Sequence, residues 1–460
     1  MSIDSILHLY RGVYYKMPQS VKSFIGSIYG SIPLSIRFGK LYTKHKKIVE
    51  NFESLNDEEK QKILYQKTLE VIKFAETNIP FYKKSFKKHG VSSKDFQTLG
   101  DLKKFPYITK EDIKENLEDL YTDIVEKPTD YYSGGSLSTP TKYYHPLYTS
   151  RAKEKAYNNY IFKNFGYNYR ERALLLKGRE ISKPDKDIYW EYEPIDNYFY
   201  ISNNYMNSDK FPLIYKKAKE FRPKIAFGYP SALLSFIKQC KKHGLEKLDI
   251  KGVMLASETI YENEINLIRD FFGVDILTHY GHTERTLMAY RINSGSYHFL
   301  NSYGIGRVVD NELVSTGYDN FVMPLINFKT GDTVTGEIKY YDNTDIAKEC
   351  GNIEGRTKDF LVTNDNRLVS ITTMCGGQHL PLESIGSLQY IQKEPGVVTV
   401  LIEPIKDDID PNAVVAGMKK LVRDGIDFKV ELVDKIEKSA RGKRIICKQS
   451  LDIEKIRSGS

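Results

Sequence analysis

The sequence has few cysteines and no long apolar run. Its four cysteines, Cys240, Cys350, Cys375 and Cys447, lie far apart among 460 residues and form no CxxC pair. This spacing argues against a zinc site or a disulfide framework and is typical of a reducing compartment. No apolar stretch approaches the ~20 residues of a membrane-spanning helix, and the N-terminus lacks the apolar segment of a signal peptide. We therefore expect a cytoplasmic globular protein.

Charge and glycine patterns exclude further classes. The net charge of +8 is mild for 460 residues, so we expect no nucleic-acid partner. No GxxxxGK(S/T) motif occurs, and the Gly-Ile-Gly at 304–306 lacks the third glycine of a dinucleotide-binding fingerprint. With 40% hydrophobic and 28% charged residues the chain has an ordinary globular composition. Its length favours two or more domains.

The first fifty residues are basic and aromatic. They contain eight lysines and arginines against two acids, Asp4 and Glu50, with apolar side chains such as Phe24 and Ile25 between them. This composition is typical of a segment that lies on a membrane surface, so contact of residues 1–50 with the inner face of the membrane is one of two interpretations. The simpler alternative is a helical layer on the main domain with a solvated basic face, because amphipathic helices usually face a core.

Helical signals come next along the chain. Asn56 and Glu59 have the spacing of a capping box ahead of apolar residues with helical period. Pro80 closes this helix, and residues 99–120 are predicted as short helices that break at Pro106. We therefore expect residues 1–110 to be mainly helical.

Strand and helix signals alternate between residues 210 and 280. Strands are predicted at 224–228, 250–256 and 274–278, and helices at 209–220, 230–242 and 261–272. This alternation predicts a parallel sheet with right-handed crossovers and ligands beyond the carboxyl ends of the strands. Polar segments follow the three strands at 228–231, 257–258 and 280–284. We expect them at one edge of the sheet, although each alone is also typical of an ordinary loop with a helix cap.

Two side chains of the segment 280–284 suit phosphate chemistry by residue type. Glu284 offers carboxylate oxygen to a hard divalent cation, and Thr283 offers a hydroxyl to a phosphate.

Three other segments have two interpretations each. The run YYSGGSLSTPTKYY at 131–144 is either a surface hairpin or a phosphate-holding loop. The apolar strand predicted before Thr-Gly-Asp at 330–332 ends in either a ribose contact or a hairpin turn. The basic stretch 436–446 is either functional or a solvated tail. A fourth segment, 355–362, has one interpretation: it is a charged connector into a hairpin that turns at 364–366.

The order of these segments resembles that of the adenylate-forming enzyme superfamily. The order is a Ser/Gly/Thr-Pro-Lys loop, Tyr-Gly-x-Thr-Glu, aromatic-x-Thr-Gly-Asp, Gly-Arg-x-x-Asp and a C-terminal Gly-Lys. The stretches GYPSALLSF, YGHTER, MPLINFKTGD and FPYITKEDIKENL are similar to the phenylacetate–CoA ligase branch, which includes relatives associated with capsule and surface-polysaccharide biosynthesis. The resemblance spans residues 60–447, and five motifs in one order make it specific.

The resemblance implies an α/β fold in two domains. A large N-terminal domain, residues 1–355, would bind nucleotide and carboxylate on a parallel-type sheet with flanking helices. A small, mobile α+β domain, residues 356–460, would follow, with Lys358 at the position of the family's hinge residue. A homodimer is a candidate assembly.

The resemblance also implies a two-step reaction. A carboxylate attacks the α-phosphate of ATP to give an acyl-adenylate and pyrophosphate, and a CoA thiol, an amine or a hydroxyl then takes the acyl group. The protein contributes mainly positioning and charge stabilisation. ATP, Mg²⁺ and, for a thioester product, CoA are the implied cofactors. The partners are a small carboxylic acid and an acceptor that the sequence does not identify.

Carrying the motifs over residue by residue gives a set of expected site residues. Thr283, Glu284 and Lys443 are the expected catalytic residues: Thr283 touches phosphate, Glu284 holds Mg²⁺, and Lys443 matches the mobile lysine of the small domain. The expected nucleotide contacts are Ser133, Gly134, Gly135, Ser136, Ser138, Thr139, Lys142, Ser257, Glu258, Tyr280, Gly281, Asp332 and Arg356. The expected substrate pocket contains Phe227, Gly228, Tyr229 and His279.

The sequence departs from the family pattern at three places. Leu137 and Ser138 stand where Thr-Gly is usual, so a phosphate-facing hydroxyl and a flexible glycine are lost. Asn327 occupies a position often held by arginine, and residues 366–374 lack the usual Gly-x-x-x-x-Pro. These changes keep two alternatives open: a degenerate member that binds nucleotide or an acyl group without catalysis, and a membrane-peripheral scaffold of a polysaccharide assembly complex.

Overall fold

The computed structural model describes residues 3–4, 13–14, 17–132, 141–177, 188–202, 206, 209–258, 260–356, 360–371, 374, 384–404, 409–422, 425–438, 445–453 and 456, with only the backbone at 355, 356, 368, 370 and 421. The helices are α1 (Gln19–Ser31), α2 (Leu34–Arg37), α3 (Gly39–Glu53), α4 (Asp57–Asn78), α5 (Pro80–His89), α6 (Lys110–Glu115), α7 (Thr149–Asn164), α8 (Phe211–Phe221), α9 (Pro230–Lys242), α10 (Glu262–Phe272) and α11 (Pro411–Val422). Short 3-10 helices span Ser93–Asp95, Leu99–Lys104 and Leu117–Asp119.

Strands supply the rest of the regular structure. They are β1 (Pro128–Tyr132), β2 (Lys142–Pro146), β3 (Ala173–Lys177), β4 (Trp190–Glu193), β5 (Tyr198–Ser202), β6 (Ile225–Gly228), β7 (Gly252–Ala256), β8 (Ile276–Gly281), β9 (Met288–Ile292), β10 (Tyr297–Phe299), β11 (Gly304–Val309), β12 (Glu312–Gly317), β13 (Phe328–Tyr340), β14 (Ala347–Arg356), β15 (Phe360–Val362), β16 (Leu368–Ser370), β17 (Ile385–Glu394), β18 (Val397–Pro404), β19 (Asp427–Leu432) and β20 (Cys447–Gln449).

The chain divides into two units by its internal contacts. Unit 1 comprises Met1–Glu171, Tyr192–Tyr198 and Leu277–Ile353, and unit 2 comprises Arg172–Glu191, Phe199–Ile276 and Glu354–Ser460. A unit boundary at 353/354 lies beside the division expected at 355/356, but residues before 277 also group with the C-terminal part. The two-domain division at 355 therefore stays a prediction.

Local capping signals place the helices of unit 1. In α4 the Asn56 side chain accepts from the Glu59 N–H at 3.0 Å, and the Glu59 carboxylate accepts from the Asn56 N–H at 3.1 Å. This reciprocal pair satisfies two N–H groups at the helix start and confirms the predicted capping box. The helix ends at Asn78, and Pro80 begins α5 at a position where a missing N–H costs nothing. The short helices on either side of Pro106 are confirmed as well.

The N-terminal helices bury one face and expose another. α3 buries Tyr42, His45, Val49 and Phe52, and Tyr42 belongs to a hydrophobic cluster with residues of α7. For α3 the packed-helix interpretation is confirmed. α1 differs, because several of its apolar side chains are exposed. Among the described helices, none has the length and apolar character needed to cross a membrane.

The sheet of unit 1 is antiparallel at its described pairings. Its strands follow the order β11-β12-β13-β14-β10-β9-β8, and β1 and β2 form a separate antiparallel hairpin. Behind part of this sheet, α4 and α5 enclose a core that includes Leu64, Tyr82, Phe105 and Phe328. The alternation of strands and helices ends at β8, so the parallel pattern read before residue 280 does not extend into unit 1.

The Thr-Gly-Asp motif does not end a strand. Residues 323–327 are buried irregular chain, and β13 begins after them at Phe328 and continues through Thr330, Gly331 and Asp332. Opposite these residues the pairing shifts, from Val314 with Lys329 to Glu312 with Thr333. The motif is therefore a β-bulge, and both expectations, a strand end and a hairpin turn, were wrong. A bulge breaks the ladder and lets one side chain point where regular alternation would not allow it.

Unit 2 contains the parallel sheet that the alternation predicted. β3, β6 and β7 are parallel neighbours in the order β7-β6-β3, and helices α8, α9 and α10 connect the strands and bury apolar faces against them. The C-terminal part forms a four-stranded sheet, β19-β18-β17-β20, covered by α11. The predicted hairpin after the charged connector is confirmed as β15–β16. The described residues thus confirm a mixed α/β fold.

Candidate functional site

The Tyr-Gly-His-Thr-Glu motif lies in a β-hairpin and not in a strand-to-helix loop. β8 pairs antiparallel with β9, and the pair nearest the loop is Gly281 with Met288. Arg285 has a left-handed backbone conformation, with φ of 54°, and its N–H donates to the His282 carbonyl at 3.1 Å. This hydrogen bond closes the hairpin loop and fixes the backbone that carries His282, Thr283 and Glu284.

Glu284 is a buried, ionised carboxylate. Its Oε1 accepts from the Tyr143 hydroxyl at 2.8 Å and lies 3.8 Å from Lys110 Nζ. Its Oε2 lies 3.2 Å from His282 Nδ1, in contact but without the alignment of a good hydrogen bond. Burial alone would raise the pKa of Glu284, but His282, Lys110 and Tyr143 together hold this pKa well below its usual range. The carboxylate is charged at neutral pH.

His145, on β2 like Tyr143, contacts the backbone of the same loop. Its Nε2 is 2.8 Å from the Thr283 carbonyl, and its Nδ1 is 3.3 Å from Asn320 Nδ2. A carbonyl accepts and an amide nitrogen donates, so Nε2 carries the proton and the ring is neutral. Burial lowers the pKa of His145 to about 3. The Thr283 backbone is thereby fixed, while its hydroxyl forms no hydrogen bond among the described residues.

Asp332 projects from the bulge of β13. Its Oδ2 accepts from the Tyr280 hydroxyl at 2.6 Å, and its N–H donates to Thr330 Oγ1 at 3.1 Å. The Gly331 N–H donates to Glu312 at 3.1 Å, and Gly331 has φ of 79°. Burial next to Asp332 raises the pKa of Tyr280 well above its ordinary value, so the hydroxyl remains a donor. The other carboxylate oxygen of Asp332 has no partner among the described residues.

The hairpin β1–β2 carries the Ser/Gly/Thr loop. Tyr132 pairs with Lys142 at the end next to the loop, so the flanks of the loop are a hairpin, as one of the two interpretations predicted. Lys142 Nζ lies 3.1 Å from Asp130 Oδ2 and 4.6 Å from the centre of the Tyr144 ring. Its charge is therefore partly balanced within the hairpin. Arg285 lies 4.5 Å from the centre of the Tyr131 ring at the same end.

Unit 2 brings together residues from the ends of two parallel strands. Glu258, after β7, accepts from the Ser231 N–H at 3.2 Å and from the Ser231 hydroxyl at 3.0 Å. A carboxylate at the first turn of α9 stabilises the unpaired N–H groups of that helix. Ser257 has φ of 73°, a conformation that is rare for a residue with a side chain. Burial lowers the pKa of Lys438, and the nearby carboxylates of Glu403 and Glu258 oppose this shift. The start of the basic stretch 436–446 therefore lies close to Glu258.

The predicted pocket residues of unit 2 are mostly packed. A Cβ on Gly228 would lie 2.4 Å from the Leu176 carbonyl oxygen, so glycine is required there by the contact between β3 and β6. Tyr229 is buried and its N–H donates to the same carbonyl at 3.0 Å. Phe227 is half-buried. In unit 1, His279 and Gly281 lie on β8, where His279 is half-buried and Gly281 is exposed.

Several predicted site residues lie outside the described part of the chain. They are Ser133, Gly134, Gly135, Ser136, Ser138, Thr139, Lys358 and Lys443, and Leu137 lies there too. Arg356 is the last residue of β14, with only its backbone described. The roles implied for these residues stay predictions.

Four residues around Glu284 and Thr283 are absent from the predicted set. Tyr143 and His145 stand two apart on β2, so their side chains share one face of the strand; that alternation is a signal the sequence offers. Lys110 follows the N-cap Thr109 of α6, and its Nζ donates to the Thr330 carbonyl at 2.7 Å. His282 stands inside the motif itself. The partners of Tyr143 and Lys110 are distant in sequence, which explains why local patterns do not reveal them.

Asn327 is a structural residue. Its Nδ2 donates to the Leu102 and Phe105 carbonyls at 2.8 and 3.0 Å, and its Oδ1 accepts from Arg307 Nη1 at 3.0 Å. Arg307 also pairs with Asp345 at 2.6 Å. Asn327 thus anchors the short helix before Pro106 to the start of β13, which accounts for the departure from arginine at this position.

The described residues contain no group of three or more His, Cys, Asp or Glu side chains that would form a protein-only metal site. Glu284 alone nevertheless suits Mg²⁺, because its carboxylate is ionised and each oxygen retains a lone pair. Mg²⁺ in nucleotide sites commonly binds one or two carboxylates together with phosphates and waters.

Comparison with known proteins identifies the class of fold. No protein-family model matches the chain. The chain is 22% identical over 449 residues to protein CapK of Staphylococcus aureus, covering 94% of this chain and 97% of that protein. A segment of 64 residues is 38% identical to the phenylacetate–coenzyme A ligase of Escherichia coli strain K12, covering 14% of this chain and 15% of that enzyme.

Solved structures extend the comparison to most of the chain. 2-Hydroxyisobutyryl-CoA ligase in the postadenylation state, in complex with 2-HIB-AMP, matches with a TM-score of 0.65 at 12% identity and covers 87% of this chain and 91% of that chain. The same ligase with 2-HIB-AMP and CoA in the thioesterification state gives a TM-score of 0.55 at 12% identity, covering 87% and 92%. The chain has the fold of adenylate-forming acid–CoA ligases. The resemblance drawn from the motifs is confirmed at the level of the fold, and similarity to a phenylacetate–CoA ligase is found over the 64-residue segment.

Proposed function

We propose that this protein activates a carboxylic acid with ATP as an acyl-adenylate and then transfers the acyl group to an acceptor. The observation that carries the proposal is the placement of two motif carboxylates, Glu284 and Asp332, around one hairpin. Glu284 lies in the β8–β9 loop, and Tyr280 on β8 holds Asp332 at 2.6 Å. The acid proposed for the metal and phosphates, Glu284, and the acid proposed for the ribose, Asp332, are therefore both attached to the β8–β9 hairpin of unit 1, Glu284 by its loop and Asp332 through Tyr280.

Asp332 is the proposed ribose contact. Tyr280 occupies one of its oxygens, and the other is available to accept from a ribose hydroxyl. The bulge at Gly331 directs the side chain out of the regular ladder. Because the Tyr280 hydroxyl donates to Oδ2 of Asp332, it orients the carboxylate and leaves the other oxygen to accept from the ribose hydroxyl.

Glu284 is the proposed contact to the phosphate side. His282, Lys110 and Tyr143 keep the carboxylate charged, and Tyr143 also orients it. Thr283 offers an adjacent hydroxyl on a backbone held by His145. Mg²⁺ bound to Glu284 would neutralise negative charge on the ATP phosphates. These residues bind and orient ATP.

The proposed reaction consists of two nucleophilic substitutions and needs no redox partner. A carboxylate oxygen of the acid bonds to the α-phosphorus of ATP, and pyrophosphate leaves with the electron pair of the broken P–O bond. A nucleophilic acceptor then bonds to the acyl carbon, loses its proton, and AMP leaves with the original carboxylate oxygen. Lys443 is the proposed cation for the first step. The roles of Ser257, Glu258, Phe227, Gly228 and Tyr229 at the adenine and acyl group stay predictions.

CoA is the acceptor with the most support, because the matching ligase was solved with CoA in its thioesterification state. The similarity to protein CapK agrees with the surface-polysaccharide context that the motif resemblance implies. An amine or a hydroxyl remains the alternative acceptor. Cytoplasmic location, a homodimer and contact with the inner face of the membrane stay predictions.

Carboxylate-dependent ATP–pyrophosphate exchange tests the proposal without knowledge of the acceptor. A panel of aromatic, hydroxylated and short-chain acids is offered to the full-length protein with ATP, Mg²⁺ and labelled pyrophosphate. We expect label to enter ATP only when an accepted acid is present. Tight ATP binding with no exchange for any acid would instead support the degenerate, non-catalytic alternative.

A further inference from the structure

Helix α1 turns its apolar side chains toward solvent. Val21, Phe24, Ile25 and Ile28 recur at the spacing of one helix face, and their exposed fractions are 40%, 70%, 40% and 57%. Such a stripe normally faces a core. Here it is a continuous apolar surface with no described protein covering it, which is unusual for a globular domain.

The opposite face of α1 is tightly packed, so the helix cannot rotate to bury the stripe. A Cβ on Gly26 would lie 2.4 Å from Pro194 Cγ, and one on Gly30 would lie 2.5 Å from the Ile195 carbonyl oxygen. Between these glycines, Tyr29 is buried with the Arg37 guanidinium 4.2 Å from its ring centre. The buried residues of α1 are Gly26, Tyr29 and Gly30, while the four large apolar side chains of the stripe face outward, which is the reverse of an ordinary surface helix.

Basic side chains accompany the exposed apolar ones. Lys40, Lys44 and Lys47 are exposed along one face of α3, whose other face is buried. Ile36 on α2, between the two helices in sequence, is 56% exposed. Residues 17–49 contain no Asp or Glu, and the first fifty residues carry a net charge of +6 out of +8 for the whole chain. Apolar and positive surface are therefore concentrated in one short part of the chain.

We propose that α1, α2 and α3 form a surface that binds an anionic lipid bilayer. The apolar stripe of α1 enters the boundary between headgroups and acyl chains, and the lysines of α3 interact with anionic headgroups. Among the described helices none could span a membrane, and the association that we propose is interfacial. A second copy of this chain is the less suitable occupant, because a twofold interface would place like charges together.

The test is vesicle sedimentation of the full-length protein with matched variants. Vesicles contain either phosphatidylcholine alone or phosphatidylcholine with about one-third phosphatidylglycerol, at about 0.05 M and about 0.5 M salt. The apolar variant is Phe24→Gln with Ile28→Gln, and its control is Ile124→Gln with Val125→Gln, two residues of unit 1 that are 63% and 50% exposed. The charge variant replaces Lys40, Lys44 and Lys47 with Gln, and its control does the same to the exposed Lys83, Lys87 and Lys88 of α5.

We expect the wild type and both controls to sediment with anionic vesicles at low salt and to be released at high salt. The apolar variant should bind at least about tenfold more weakly, and each lysine removed should weaken binding about fivefold. Wild type that stays in the supernatant, or binds equally to neutral vesicles, overturns the proposal. So does a wild-type dimer in analytical ultracentrifugation that Phe24→Gln with Ile28→Gln dissociates, since the stripe would then be a contact between two copies. Unchanged thermal melting of the variants shows that lost binding is not lost folding.

Discussion

Single side chains in this protein combine charge with burial, and Glu284 is the clearest case. A lone carboxylate in a protein interior is costly and normally becomes protonated. Glu284 remains ionised because Lys110, His282 and Tyr143 surround it. The same surroundings make it a ready ligand for a cation and a contributor to stability that depends on pH.

Glu284→Gln should therefore destabilise the protein most at neutral pH. Gln can still accept from Tyr143 but loses the charge interactions, at a cost of about 1–3 kcal/mol. Since the pKa of Glu284 is depressed in the fold, its contribution is complete above the unfolded value of about 4.3 and is lost as pH falls below it. The melting temperatures of variant and wild type should thus differ at neutral pH and converge in acid. Glu115→Gln, at an exposed position of α6, is the control. A difference that does not change with pH would contradict the role given to the charge.

Asp332→Ala should weaken the binding of ATP and AMP alike, because both contain the ribose. Loss of a charged acceptor corresponds to about 1.5–3 kcal/mol, which calorimetric titration resolves easily. Tyr280→Phe is the companion variant, since it removes the hydroxyl that orients Asp332 but leaves the carboxylate. We expect it to have the smaller effect. Unchanged nucleotide affinity in Asp332→Ala would remove Asp332 from the site.

At the residue scale, the sequence predicts the members of motifs better than their partners. Asp332 and Glu284 belong to short motifs that can be read locally. Tyr143 lies 141 residues from Glu284, and only the fold brings the two together. Their contact depends on the pairing of β1 with β2 and of β8 with β9, which no local pattern specifies.

Among the structural elements, the bulge in β13 has the most direct bearing on function. Gly331 adopts a positive φ of 79° with nothing within contact distance of an added Cβ. Strain from a side chain at this position is therefore a backbone effect and not a steric clash. Because Asp332 follows directly, the same strain would alter where its carboxylate points.

Gly331→Ala should lower both stability and nucleotide affinity. An alanine forced to positive φ costs about 1 kcal/mol. Gly244→Ala is a matched control, since Gly244 has φ of 61°, also has no neighbour near an added Cβ, and stands after α9 outside unit 1. We expect similar loss of thermal stability in both variants but weaker AMP binding only in Gly331→Ala. Equal AMP affinity in the two would show that the bulge does not position Asp332.

Elements with local signals are predictable from the sequence, and those set by distant pairing are not. The capping box of α4 fixes its first turn, and the alternation before residue 280 predicts α8, β6, α9, β7 and α10. The antiparallel order in unit 1 joins strands far apart in the chain, such as β10 with β14. Reading Thr-Gly-Asp as a strand end fails for the same reason, since a bulge is defined by the opposing strand β12.

Contacts between residues that are far apart in the sequence organise the whole molecule. Within unit 2, Lys238 on α9 donates to the carbonyls of Ile385 and Gly386 at the start of β17. This contact joins the parallel sheet to the C-terminal sheet in one unit. The sequence predicts a change of pattern near residue 355, but it cannot predict which earlier residues the C-terminal part contacts.

Lys443→Ala should separate the two half-reactions. Acyl-adenylate formation develops negative charge around the α-phosphate, so loss of a cation should slow this step by about 100-fold or more. Transfer from a preformed acyl-adenylate should change much less. Arg441→Ala and Arg444→Ala are tested alongside, because either arginine could supply the cation in place of Lys443. Wild-type activity of Lys443→Ala in the first half-reaction would exclude the lysine from catalysis.

The central claim is that the carboxylate of the substrate attacks the α-phosphorus of ATP. Transfer of heavy oxygen tests this claim most directly. An acid accepted in the exchange assay is labelled in its carboxylate with a heavy oxygen isotope and turned over with ATP and an acceptor, and the nucleotide product is analysed by mass spectrometry. We predict that one labelled oxygen appears in AMP, because the bond formed to phosphorus survives when the acyl carbon is attacked. Unlabelled AMP, or label found in orthophosphate together with ADP, would contradict the account.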